Sequence, residues 1–221
     1  VRTKKPLIRA FLDGEIDNLR AALGWAEQTS DGETMQRLIG ALFWFWYVRG
    51  HVSEGRRWAR RALACGPVVP GSVRANTLLG AGMLAHCQND DREANAYMAD
   101  SLQMFREAGD LAGEIHALGE LSVLAEDAGD YEHAFALADE CFALYRGTGE
   151  RGLSPILMTL LLAHVGVSAW GQGDLDRAFA HWEAALERHR ELDDAWGAAN
   201  VLGYMAVVAC EQGDLARAGR L

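Results

Sequence analysis

Proline is scarce in this chain, 4 of 221 residues, and no stretch is rich in Ser, Gln or Pro, which argues against a disordered polymer. Basic residues are outnumbered: 21 Lys and Arg stand against 31 Asp and Glu, a formal net charge of −10. A surface of that sign repels phosphate backbones, so neither nucleic acid nor an anionic membrane is expected as a direct partner. Cysteine is sparse too. Cys65, Cys87, Cys141 and Cys210 form no C-x-x-C pair, which removes zinc knuckles and thioredoxin-type motifs. The last three fall in apolar helical pattern, where a thiol is expected to act as a small buried hydrophobe. A reduced, cytoplasmic protein is the simplest reading. Long apolar runs are missing as well: Ala41 to Val48 is far shorter than the roughly 18 to 20 residues of a membrane span. The longer stretch from Ile156 to Trp170 is interrupted by Thr159, His164 and Ser168. No charged segment followed by an apolar core opens the chain, so no signal peptide is expected. The missing initiator Met and the stop at Leu221 inside helical pattern read as an excised fragment.

Catalytic signatures are lacking too. There is no G-x-x-x-x-G-K-[ST] phosphate loop and no G-x-S-x-G elbow, so nucleotide and hydrolase chemistry have no foothold. The string Gly80 to Ala85, GAGMLA, fits G-x-G-x-x-A. A phosphate loop needs a strand before it, whereas this string lies within helical pattern, so close helix packing at Gly82 is the preferred reading. His181, Glu187 and His189 are the residues nearest to a metal set. The two histidines are two helical turns apart and the glutamate is out of line with them, so a solvated helix face is expected and no metal. The chain reads as a non-enzyme without a cofactor.

What the sequence has is a repeat. AGDYEHAFALADECFAL from Ala128, QGDLDRAFAHWEAALER from Gln172 and QGDLARAGRL from Gln212 align, with weaker copies QNDDREANAYMADSL from Gln88 and RGHVSEGRRWARRAL from Arg49. The register residues Gly50, Asn89, Gly129, Gly173 and Gly213 are spaced 39, 40, 44 and 40. Each unit reads as helix, tight turn, helix. Gly or Asn takes the left-handed conformation that ends a helix, and the Asp that follows in four of the five caps the next one. Ala94, Ala134, Ala178 and Ala218, with Gly55 in the first unit, stand five residues after the turn, where the paired helices come closest and a larger side chain would wedge them apart. The excess of the 44-residue step is expected in the loop from Gly147 to Pro155.

Small residues at fixed helix-contact positions around such a turn resemble the tetratricopeptide repeat, over roughly residues 33 to 221. The departure is length, since that repeat has about 34 residues; the surplus implies an added turn of helix or longer connections. Ahead of the repeats, Asp13 is placed to cap a helix through Ile16, Leu19, Leu23 and Ala26, ended by Thr29 to Gly32. Leu12, Asp13 and Asp17 to Leu23, followed by Trp44 to Gly50 and Glu54 to Arg56, are similar to the start of the repeat region in large bacterial LuxR-type and AfsR-type regulators with a STAND ATPase core, the MalT-like arrangement. In those regulators this region follows a nucleotide-binding core and a winged helix and acts as their sensor. The expected architecture is therefore all-α, a right-handed α–α superhelix of about eleven helices. Residues 1–32 would form a linker or capping helix and 33–221 five helix pairs, the last truncated. The expected role is a non-enzymatic ligand-sensing and interaction domain, the alternative being a general scaffold unconnected with transcription.

Two clusters bear on partners. Arg56, Arg57, Arg60 and Arg61 form the dense basic patch; a face pairing with Glu54 and the acids of adjacent helices is preferred over docking of an acidic domain. Phe43, Trp44, Phe45, Trp46 and Tyr47 cover every side of one helix, so no single core face can take all five. Phe43 and Trp46 are expected inside, while Trp44 and Tyr47 are divided evenly between core and surface. The resemblance implies a concave surface made by the first helix of each pair. Transferring its register gives candidate contacts Arg37, Trp44 and Tyr47, then Asn76, Met83 and His86, then His116 and Glu126, then Trp170, and finally Asn200. The same register includes Leu79, Gly119, Ala163, Val207 and Cys210. Such a lining suits a peptide, a protein domain or a small-molecule inducer, besides other domains of the same chain. It lacks the Lys, Arg and Asn set that would clamp a chaperone tail's terminal carboxylate.

Overall fold

In the computed structural model the described residues are 5–65, 69–147 and 155–221, the side chains of 5–13, 155–157 and 160 excepted. Among them there are eleven helices and no strand: α1 (Lys5–Gln28), α2 (Gly32–Val48), α3 (Val52–Ala64), α4 (Gly71–His86), α5 (Asp91–Ala108), α6 (Leu111–Asp127), α7 (Tyr131–Gly147), α8 (Pro155–Gly171), α9 (Leu175–Glu191), α10 (Ala195–Glu211) and α11 (Leu215–Ala218). They form a helix followed by five pairs. The chain divides into two compact units, Val1–Ala117 and Leu118–Leu221.

The turns explain the regularity. Gly50, Asn89, Gly129, Gly173 and Gly213 all have positive φ, from 57° to 79°, the left-handed conformation expected at these register positions. Ser30, Gly109 and Asp193 share it, so the turns between pairs repeat the turns within them. At each of the eight the following N–H bonds back to a carbonyl five residues earlier, as from Asp174 to Ala169 at 2.9 Å and from Asp110 to Phe105 at 3.0 Å, which satisfies an orphan carbonyl of the ending helix. In seven of them the following residue is an Asp whose carboxylate accepts from the N–H three residues on: Thr34, Glu93, Gly113, His133, Arg177, Gly197 or Arg217. His51, at the eighth, makes no such bond.

Repeat length follows from helix length. α6, α7, α8, α9 and α10 each have 17 residues, and three-residue turns bring each helix-turn unit to 20. Compared with half of a repeat of about 34 residues, each helix is longer by about three residues, nearly one turn. The surplus is helix, not connection. The exception is the 44-residue step, whose excess lies between Gly147 and Pro155; residues 148–154 themselves are outside the described residues. Asp13 does not cap α1, which begins at Lys5 and passes through it. The expected end of that helix is met at Ser30.

In the unit 1–117 the core joins Leu23 and Ala26 of α1 to Met35, Ile39, Leu42, Phe45 and Trp46 of α2, Ala59 and Ala62 of α3, and Ala81 and Leu84 of α4. Gly55 lets α3 close onto α2, since a Cβ there would meet Trp46 Cβ at 2.8 Å. Gly82 does the same for α4, where a Cβ would meet Met98 Cγ at 2.7 Å; the GAGMLA string is helix packing. The basic patch is mostly a solvated face, with Arg57, Arg60 and Arg61 exposed, and it pairs with acids of adjacent helices, as preferred. Arg56 is buried and bonds Asp90, Glu93 and Gln88 of the next turn and helix. Arg60 also reaches Glu93, and Arg61 reaches Glu27. Glu54, named as a partner for the patch, instead accepts two bonds from the Arg20 guanidinium, each 2.7 Å, tying α1 to α3.

In the unit 118–221 the core is built on Ala134, Phe135 and Cys141 of α7, Leu161, Val165 and Ala169 of α8, Ala178, Trp182 and Ala185 of α9, and Val201, Met205 and Val208 of α10. Ala134 and Ala178 are fully buried, as Ala94 is in the other unit, in keeping with their contact role; Ala218 is only partly covered. Burial pushes the Cys141 thiol up to about 12. Cys87 and Cys210, expected inside, are exposed, because each sits near the end of a first helix on its outward stripe. His189 also departs from expectation. It is 1% exposed, its Nδ1 3.2 Å from Asp194 and its ring lying where a Cβ on Gly197 would be.

Candidate functional site

Helix α2 presents its candidate residues on one stripe. Trp44 and Tyr47 are 44% and 45% exposed, with ring centroids 5.1 Å apart, and Val48 continues the apolar surface. Phe45 and Trp46 point the other way and are buried; Phe43 is half-buried against the core. Helical geometry forces this split, because consecutive residues are about 100° apart. Arg37, about two turns before Trp44 toward the start of α2, is exposed and held by Glu33 at 2.7 Å. Beside it an open cavity of about 280 Å³ lies between α2 and α4, lined by Gln36, Arg37, Gly40, Ala41, Val73 and Asn76. Gly40 keeps it open at the α4 side, since a Cβ there would meet Asn76 Cβ at 3.2 Å.

The remaining candidates of this unit are less exposed. Met83 and His86 are half-buried on α4, with His86 Nδ1 2.9 Å from Asp91. His116 is half-buried with its ring 6.4 Å from that of Phe43. Leu79, at a register position, is 1% exposed and belongs to the core.

In the unit 118–221 the register brings together a polar cluster. Glu126 of α6 is buried, accepts from Ser168 Oγ at 3.2 Å and faces His164 Nδ1 at 3.2 Å, both on α8. Burial by itself lowers the His164 pKa, but the bond to Glu126 and the fields of Glu126, Glu120 and Asp127 outweigh it and hold the imidazole above 6.5. Tyr204 of α10 is pushed up by burial and by Glu126 and Asp127. Its ring stacks on Trp182 at 6.1 Å. Trp170 is half-buried and donates its indole N–H to Glu211 at 3.1 Å. Asn200, Gly203, Val207, Cys210 and Glu211 form the outward stripe of α10, with Val207 48% exposed. Gly119 and Ala163 are buried.

His164, Ser168 and Tyr204 are absent from the register expectations, yet they complete this cluster. His164 and Tyr204 stand nine residues before Gly173 and Gly213. That shared offset was the available signal; in the sequence His164 registers only as a break in an apolar run. Among the described residues no group of His, Cys, Asp and Glu has the arrangement of a metal site, and no helix is long and apolar enough to cross a membrane.

No protein-family model matches the chain. Over 117 residues it is 32% identical to proteins of Mycobacterium bovis and Mycobacterium tuberculosis provisionally described as HTH-type transcriptional regulators, a match covering 49% of this chain and 13% of theirs. The chain thus spans only a small part of the length of the curated relatives it matches. A Rap protein complexed with competence and sporulation factor superposes with a TM-score of 0.71 at 12% identity, covering 86% of this chain and 51% of that one. A Podospora anserina protein with nearly identical TPR-like repeats, provisionally a kinesin light chain, superposes at 0.61 and 12% identity, covering 84% and 92%. At these identities the structural likeness speaks for the fold alone. With the turn register and the buried small residues, it makes this chain an all-helical array of TPR-like pairs.

Proposed function

We propose that this chain is a non-enzymatic sensing and interaction segment of a bacterial transcriptional regulator acting in the cytoplasm, of the LuxR-type and AfsR-type class with a MalT-like STAND ATPase core. The observation that carries the reading is the exposed Trp44–Tyr47 pair, continued by Val48 on the same helix face. Contiguous large apolar groups in water mark contact surfaces, and paired aromatics supply wide, stiff contact area with polar tips. The relation to mycobacterial regulators supports the transcriptional setting. The Rap protein solved with competence and sporulation factor supports a role for this fold in regulation. In this reading Arg37, Trp44, Tyr47, Asn76, Met83, His86 and His116 serve one unit and Glu126, Trp170 and Asn200 the other, as contacts for a peptide, a protein domain or a small-molecule inducer. A ligand changes a regulator's state only through unequal affinity for its two states. A general protein-interaction scaffold is the second reading, favoured by the likeness to TPR-like repeats from a protein outside transcription.

A binding screen read by tryptophan fluorescence tests the proposal, with Trp44→Ala and Trp170→Ala as controls. Compounds or peptides that bind should lose affinity with one substitution or the other. Affinity that survives both would place sensing elsewhere. In the whole regulator, Trp44→Ala should alter transcription from target promoters; unchanged transcription together with lost partner capture would favour the scaffold.

A further inference from the structure

We propose that the face made by α8, α10 and the end of α6 in the unit 118–221 docks a partner segment carrying Lys or Arg side chains among apolar ones. The inference rests on the groove reading above and names the chemistry of its occupant.

Its first support is a separation of charge by element. α6, α8 and α10 contain no Lys or Arg. The arginines of this unit's long helices lie instead on the second helices, Arg146 on α7 and Arg177, Arg188 and Arg190 on α9. On the first helices the carboxylates Glu120, Glu126 and Asp127 act together on one imidazole, His164, and Glu126 and Asp127 also act on Tyr204. Glu211 adds a fourth carboxylate beside Trp170. With no Lys or Arg on α6, α8 or α10, the charge these three helices themselves carry is net negative. The other unit offers a contrast, because its first helices carry Arg37 and Arg74.

The second support is that the same face is apolar where it meets water. The outward stripe of α10 exposes Trp196 at 68% and Val207 at 48%, where an ordinary surface helix would show charged residues. Trp170 is held by its N–H on Glu211, so a carboxylate lies at the edge of a partly open indole. An aromatic surface with an adjacent carboxylate suits guanidinium or ammonium, which gains from the ring and from the charge together. An acidic partner would meet only repulsion there, and a purely apolar one would strand the carboxylates.

The probes are three fluorescein-labelled ten-residue peptides alternating Leu with Arg, Glu or Gln, titrated into the chain and read by anisotropy. The Leu–Arg peptide should bind saturably and at least tenfold tighter than the Leu–Gln peptide, with affinity falling as salt rises. Glu211→Gln with Asp127→Asn should weaken it about tenfold. Glu183→Gln with Glu187→Gln, the same charge change on α9, should leave affinity within twofold. Equal loss from both pairs would mean diffuse attraction to an acidic protein and would overturn the proposal. Tighter binding of the Leu–Gln or Leu–Glu peptide, still lost with Trp170→Ala, would sink the cationic assignment and leave the groove reading standing. If no peptide binds while melting curves show every variant folded, both fail.

Discussion

Gly166 faces the indole of Trp182 so closely that a Cβ there would lie 2.3 Å from Nε1. That indole is fully buried and donates to the Ala163 carbonyl at 3.0 Å, so it cannot swing away without losing its acceptor. Gly166→Ala should therefore cost about 1 to 3 kcal/mol by overpacking, seen as a lower melting temperature; an unchanged one would mean the indole is not fixed by that bond. His164 supports a prediction of a different kind. Its folded pKa is raised above 6.5 by Glu126 and the neighbouring acids despite burial. The stabilisation it gives is fully present below about 6.5 and is lost as pH rises through the folded pKa. His181 is shifted the other way by burial and Arg177, so the comparison must be made within one background. Urea midpoints of the wild type and His164→Gln should differ most at pH 5 and converge as pH rises through the folded pKa of His164; parallel profiles would detach His164 from Glu126.

At the scale of the helix, one device recurs: a left-handed residue, a back-bonded N–H and an Asp whose carboxylate opens the next helix. Where the left-handed residue is Gly, its backbone is at ease; at Ser30, φ 56°, an L side chain bears a cost of about 1 to 2 kcal/mol. Glycine costs roughly 0.5 to 1 kcal/mol in unfolded-state entropy, so Ser30→Gly should yield a net gain of about 0.5 to 1 kcal/mol. A chemical denaturation midpoint that falls would show that Ser30 contributes something its backbone does not reveal. The turns at Asn89, Gly129, Gly173 and Gly213 were legible because glycine and asparagine advertise the conformation and recur at about 40 residues. Gly109-Asp110 was not, because it falls outside that spacing, nor was the left-handed residue at Ser30 or Asp193, since neither signals positive φ as plainly as glycine; the true period of 20 emerges only when the turns between pairs are seen to copy those within them.

For the whole chain, the acidic balance and the lack of a phosphate loop give a further prediction. The chain should neither hydrolyse ATP nor retard DNA in a gel shift at micromolar protein and low salt, where electrostatic attraction is strongest; retarded DNA would contradict it. The same sequence determined the number of pairs, their turns and the small residues at their contacts, such as Gly55, Ala94, Ala134 and Ala178. These depend on backbone conformation and on partners a few residues away, and such terms are written locally. Only the tertiary structure decided which register positions are open. Trp44, Tyr47 and Val207 reach water, while Leu79 and Ala163, at another position of the same register, are covered. It also decided that Glu126 meets His164 and Ser168, respectively 38 and 42 residues on, and that Arg56 is buried against Asp90 and Glu93. Periodicity assigns a side chain to a face, but exposure is set by the bulk of whatever the neighbouring repeat places over that face. A charge finds its partner according to how two helices are offset, and one helix's sequence does not contain that offset.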